Sequence, residues 1–91
     1  MGYFVYILKN ATDNELYKGF SENPFERLIY HNLGKSKFTS TKHSWELIFL
    51  KEFPSKTEAL IFERRIKKWN RRSLNQLIES LENTIQKEKK S

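Results

Sequence analysis

Tyr3 to Leu8 is an unbroken run of aromatic and aliphatic side chains that ends in the turn-forming Asn10, Thr12, Asp13 and Asn14. Strand-like composition resumes at Leu16 to Phe20, so the two runs predict a β-hairpin. Asn23, Pro24 and Glu26 have the form of a helix start, with Asn as N-cap, Pro at the first helical position and Glu closing a capping box, and Gly34 is the stop signal. Within that helix Phe25, Leu28, Ile29 and Leu33 read as the core stripe, which leaves Arg27, Tyr30 and His31 sharing a polar face. Lys35 to Ser44 lacks periodicity and reads as an exposed basic loop carrying Lys35, Lys37 and Lys42. From Trp45 to Phe53 the pattern puts Trp45, Leu47 and Phe49 on one side and Ile48 and Leu50 on the other, the signature of a strand covered on both faces.

Pro54, Ser55 and Glu58 open a second helix whose inner stripe is Ala59, Phe62, Ile66 and Trp69, with Arg64, Arg65 and Lys68 opposite. A third helix is expected from Ser73 as cap, followed by Leu74, Leu77, Ile78, Leu81 and Ile85. The order strand, strand, helix, strand, helix, helix predicts a small α/β (α+β) domain, a three-stranded antiparallel sheet flanked by helices, over residues 1–85, with 86–91 a flexible charged tail.

Composition narrows the function classes. Ninety-one residues fit one domain, and 37% apolar with 14% aromatic residues means that a small core is built from bulky side chains. The absence of cysteine excludes disulfides, zinc–thiolate sites and thiol catalysis, so any metal must sit on oxygen or histidine. No apolar run approaches the roughly 20 residues of a membrane span, and the expected location is cytoplasmic. Seventeen basic against 11 acidic residues give a net charge of +6, which favours a polyanionic partner.

Three sets of residues stand out chemically. Rotating the second helix by 100° per residue places Glu63 beside Ala59 and Ile66, and an inward carboxylate needs a cation, a metal or several hydrogen bonds; a structural ion pair, for instance to Arg27, is the alternative reading. Arg27 and His31, one turn apart, suit a phosphate contact or are simply an exposed polar face. Tyr6 and Tyr17 flank the hairpin turn symmetrically about residue 12, which predicts phenols directly across from each other or one position offset, whether reactive or merely packed. Gly19 inside the second strand marks a close approach or a bulge.

Taken in order, these residues resemble a GIY-YIG nuclease domain, in particular the small stand-alone bacterial members related to the excinuclease nuclease domain. Val5-Tyr6-Ile7 matches the first tripeptide and Tyr17-Lys18-Gly19 the second, followed by Arg27, His31-Asn32-Leu33-Gly34-Lys35, Trp45-Glu46-Leu47 and Glu58-Ala59-Leu60-Ile61-Phe62-Glu63. The resemblance implies a divalent-metal-dependent phosphodiesterase acting on DNA, in repair or processing, with Mg²⁺ (or Mn²⁺) on Glu63. It also implies paired tyrosines at Tyr6 and Tyr17, a phosphate-steadying Arg27, and His31 at a position held by His or Tyr in relatives. Lys35, Lys37, Lys42, Arg64 and Lys68 are expected backbone contacts, with RNA as a second ligand class and a separate targeting protein as a partner. Three departures bear on this. Val5 is a common variation, Phe20 stands where some competent relatives place a lysine, and Asn75 only loosely matches an asparagine of larger relatives. An inactive nucleic-acid-binding module with the same fold is therefore the alternative, and a structural protein with an acidic partner is a third class.

Overall fold

A computed structural model of the chain describes residues 2–35 and 44–85. The strands β1 (Tyr3–Asn10), β2 (Leu16–Ser21) and β3 (Trp45–Phe53) form one antiparallel sheet in the order β2-β1-β3, so β1 is central and β2 and β3 are edges. The helices are α1 (Pro24–Asn32), α2 (Lys56–Ile66) and α3 (Arg71–Ile78).

The central strand is hydrophobic on both sides because both faces are covered. Val5 and Ile7 join Phe49, Ala59, Ile66, Leu74 and Leu77 in the core under α2 and α3. Tyr6 and Leu8 point the other way, into a second core with Trp45 and Leu50 against which Leu28 of α1 packs. Residues 86–91, read from the sequence as a tail, and residues 36–43 of the expected basic loop lie outside the described residues.

Several expectations change. A β-bulge falls between Ile7 and Leu8: Ile7 faces Phe49 while Leu8 faces Leu47, so Ile48 is the extra residue. The bulge inverts the alternation, and Trp45 and Leu47 therefore share a core with Leu50 instead of with Phe49. The hairpin register is also two residues from the symmetric one. Tyr6 pairs with Gly19 and Tyr17 with Leu8, and because the displacement is two, both tyrosines still face the same side.

Helix α1 is rotated relative to its apolar stripe. Phe25, Ile29 and Leu33 are exposed at 62%, 60% and 62%, whereas Pro24 and His31 are buried. The face of the sheet beneath it presents tyrosines, and a buried phenol requires a polar partner that an aliphatic stripe cannot supply. Gly34 ends the helix as expected, at φ 73°, with its amide bonded to the His31 carbonyl and that of Lys35 to the Tyr30 carbonyl, a Schellman arrangement. Pro24 holds the first helical position, but the Asn23 side chain makes no capping bond. Helix α2 begins as expected, Ser55 Oγ accepting from the Glu58 amide. Helix α3 is capped by Asn70, not Ser73, and stops at Ile78, which leaves Leu81 67% exposed.

Two asparagines close the free edge of β3. Asn32 Oδ1 accepts from the Trp45 amide at 2.6 Å while its Nδ2 donates to the Trp45 carbonyl at 3.1 Å. Asn83, fully buried, accepts from the Leu50 amide and donates to the Ile48 carbonyl, so its side chain substitutes for a neighbouring strand at the bulge.

Candidate active site

Gly19 explains how the site is shaped. It lies directly opposite Tyr6, and a Cβ there would sit 2.5 Å from both Cζ and Oη of that ring. The phenol therefore lies flat over a residue with no side chain, which aims its hydroxyl across β2 toward α1. There Tyr6 Oη is 3.1 Å from His31 Nε2, and both side chains are almost fully buried. The Tyr17 ring completes the group, its centroid 4.7 Å from His31 and 6.3 Å from Tyr6.

The protonation states follow from these surroundings. Burial pushes the Tyr6 phenol from 10.0 up to about 12, assisted by Tyr17 and Glu63 and opposed by a hydrogen bond and positive charge from Arg27. Burial also holds His31 below its ordinary 6.5, and the Arg27 charge adds to the effect. Both groups are neutral at pH 7, so the contact is a hydrogen bond between a neutral phenol and a neutral imidazole. Arg27 is stacked 4.6 Å from the centroid of Tyr30 and lies close enough to Tyr6 for its charge to act on the phenol. Its face of α1 is thus the inner one, contrary to the reading of Arg27 and His31 as an exposed pair.

Glu63 comes from α2 on the other side of the sheet. It is inward as expected, with its side chain 13% exposed, and its carboxylate pairs with Lys67 Nζ at 3.1 Å, one helical turn on; no Arg27 pair to it is seen among the described residues. Its charge is nevertheless felt at Tyr6. Lys67 also lines a cleft of about 460 Å³ with Glu15, Leu16, Tyr17 and Lys18. Since Tyr17 faces α1 while Leu16 and Lys18 face α2, this cleft straddles the free edge of β2. Among the described residues no hydrogen-bond partner meets the Tyr17 hydroxyl.

Arg27, His31, Tyr6, Tyr17 and Glu63 are therefore assembled around β2 and its edge. The expected nucleic-acid contacts are dispersed. Lys35 is exposed just past α1, Arg64 and Lys68 line a groove of about 430 Å³ with Ile61 and Arg65 on the outside of α2, and Lys37 and Lys42 lie outside the described residues. Asn75 takes a hydrogen bond from Arg71 within α3. Two contributors carried a signal that spacing alone could have given: Tyr30 stands three residues after Arg27, and Lys67 four after Glu63.

Among the described residues no group of three or more His, Asp or Glu side chains could chelate a metal. One mostly buried carboxylate with an open edge is nonetheless a donor set that suits Mg²⁺, which keeps several waters and completes its shell with substrate phosphate. Glu63 fits that description.

The family model described as the GIY-YIG catalytic domain matches residues 2–77. A UPF0213 protein of Staphylococcus haemolyticus is 38% identical over 78 residues, covering 85% of this chain and 94% of that one. The UPF0213 protein YazA of Bacillus subtilis is 35% identical over 83 residues, 90% of this chain and 83% of its own. The solution NMR structure of a UPF0213 protein from Bacillus halodurans superimposes with a TM-score of 0.61 at 31% identity, covering 99% of this chain and 96% of the other.

Proposed function

Because the chain belongs to the GIY-YIG catalytic domain family, we propose that it is a nuclease that hydrolyses phosphodiester bonds in DNA with a divalent cation, Mg²⁺ or Mn²⁺, held by Glu63. The observation that carries this reading is the convergence of Tyr6, Tyr17, Arg27 and His31 on one side of β2, with Glu63 acting on Tyr6 from α2. A bound cation would supply Lewis acidity at a phosphate oxygen.

The two tyrosines have different roles. Tyr6 is 1% exposed, committed to His31 and held neutral by burial, so it orients the cluster and is poorly suited to meet water. Tyr17 lines the open cleft, its hydroxyl without a partner among the described residues, so it is the phenol that takes a proton from the attacking water. Cationic surroundings are what favour a phenolate over a phenol. Arg27, stacked on Tyr30 beside Tyr6, stabilises negative charge on the phosphate. Lys35, Arg64 and Lys68 grip the backbone without reading sequence, and a DNA processing or repair role, with or without a targeting partner, is consistent with that.

The test is cleavage of duplex, nicked, flapped and branched DNA with Mg²⁺ or Mn²⁺, using Glu63→Ala as control. Metal-dependent cutting lost in the variant, with DNA binding retained, is the expected result. Binding without cutting on every substrate would favour the alternative of an inactive binding module, to which Phe20, stacked on Tyr3 at the position where some competent members of the family carry a lysine, lends support.

A further inference from the structure

We propose that Lys67 is a phosphate-positioning residue: it neutralises Glu63 in the metal-free protein and turns to the substrate phosphate when a divalent cation takes the carboxylate. This rests on the nuclease reading above and assigns a role that the motifs do not.

Glu63 is not an ordinary surface acid. Its side chain is 13% exposed, and a carboxylate so enclosed is costly unless a cation compensates it. Lys67 is the described cation paired with it, at 3.1 Å, with the acid N-terminal to the base at a spacing of four, the favourable orientation on a helix. The lysine itself is 52% exposed, so its ammonium end remains free to move on a four-carbon stem.

The second observation is where that end can go. Lys67 lines the same edge cleft as Tyr17, the phenol with the open hydroxyl. Strand β2 brings no cation of its own to the Tyr17 face, because Gly19 and Ser21 are its other residues there, while Lys18 points to the opposite face. Arg27 comes from α1, on the opposite face of the sheet from α2, stacked on Tyr30 and close to Tyr6. A phosphate lying over Tyr17 would thus meet Arg27 from one direction and Lys67 from the other.

Charge balance couples the two positions. A divalent cation on Glu63 removes the attraction that holds Lys67 and repels its ammonium, whereas an arriving phosphate diester offers that ammonium a new counter-charge. Lys67 therefore weakens metal binding to the free protein and contributes once substrate is present.

The test measures Mn²⁺ binding to the free protein by electron paramagnetic resonance, alongside cleavage kinetics, for Lys67→Met and Lys67→Gln. Both variants are expected to bind Mn²⁺ about 3- to 10-fold more tightly, from loss of a competing charge at close range, while kcat falls by about 10- to 100-fold from loss of a phosphate-directed cation. Lys18→Met removes an equal charge from the same cleft and should leave Mn²⁺ affinity unchanged. Unchanged or weaker Mn²⁺ binding in both Lys67 variants, or an unchanged kcat, would overturn the proposal while leaving the nuclease reading intact. If instead Glu63→Gln altered neither Mn²⁺ binding nor cleavage, the metal site at Glu63 would fall and this role with it, whereas DNA binding without cutting by the wild-type protein on every substrate would overturn the nuclease reading itself.

Discussion

Gly19 and Tyr6 are antiparallel partners so close that a methyl group on Gly19 would lie 2.5 Å from the Tyr6 hydroxyl oxygen. The ring has little room to retreat, since Tyr6 is 1% exposed and packed in one core cluster with Leu8, Trp45 and Leu50. Gly19→Ala should displace the phenol from His31, destabilise the fold by about 1 to 3 kcal/mol through overpacking, and lower cleavage more than stability alone explains. Urea unfolding together with kinetics checks this, and a wild-type unfolding midpoint would contradict the proposed fit.

The two tyrosines should separate under the same conservative change. Tyr6→Phe removes a buried hydrogen bond and leaves His31 Nε2 without its phenol, at a cost of about 1 to 3 kcal/mol. Tyr17→Phe removes a hydroxyl with no described partner, so stability should shift by less than about 0.5 kcal/mol while cleavage is lost. Thermal melts and a single-turnover assay on both variants decide the assignment.

Stability should decline at both ends of the pH scale for identifiable reasons. His31 is held below 6.5 by burial, so the unfolded chain binds its proton first, and this contribution is present above about pH 6.5 and fades as pH falls through the lower native value. Tyr6 is raised from 10.0 to about 12, so its contribution is complete below pH 10 and is lost between pH 10 and 12, an interval worth roughly 3 kcal/mol. Denaturant midpoints across pH 5 to 12 should show the acid slope reduced in His31→Gln and the alkaline slope reduced in Tyr6→Phe.

Asn83 joins three segments through one amide, accepting from Leu50 and Ile85 and donating to Ile48 and Ile78. Asn83→Ala strands backbone groups at the bulge of β3 and should cost about 2 to 4 kcal/mol. Asn83→Asp should be comparably harmful, because the carboxylate cannot donate. Calorimetry on the two variants checks both statements.

The groove lined by Arg64, Arg65 and Lys68 should behave as a general phosphate contact. Arg64→Ala or Lys68→Ala is expected to weaken duplex binding similarly for unrelated sequences and to reduce the salt dependence of log K by about 1 each. Fluorescence anisotropy between low and moderate salt measures it, and a change confined to one sequence would point to base reading instead.

Much of this molecule was legible from the chain alone. The apolar runs determined three strands, and Pro24, Ser55 and Gly34 marked helix ends, because these signals act through the backbone within a few residues. The ordered set Tyr6, Tyr17, Gly19, Arg27, His31 and Glu63 was likewise present in one dimension, and the inward turn of Glu63 followed from helical spacing. Hydrophobic periodicity misjudged α1, however, since it rewarded Phe25, Ile29 and Leu33 and had no means of counting the hydrogen bond that a buried Tyr6 requires from His31. A bulge of one residue at Ile48 similarly inverted the pattern of β3. Sequence by itself determined which elements form and which chemical groups are available. Tertiary structure alone decided which helix face turned inward, that Gly19 lies under Tyr6, and that Tyr17 and Lys67 share a cleft at the edge of β2, because each of these depends on polar satisfaction and close contact between residues far apart in the chain.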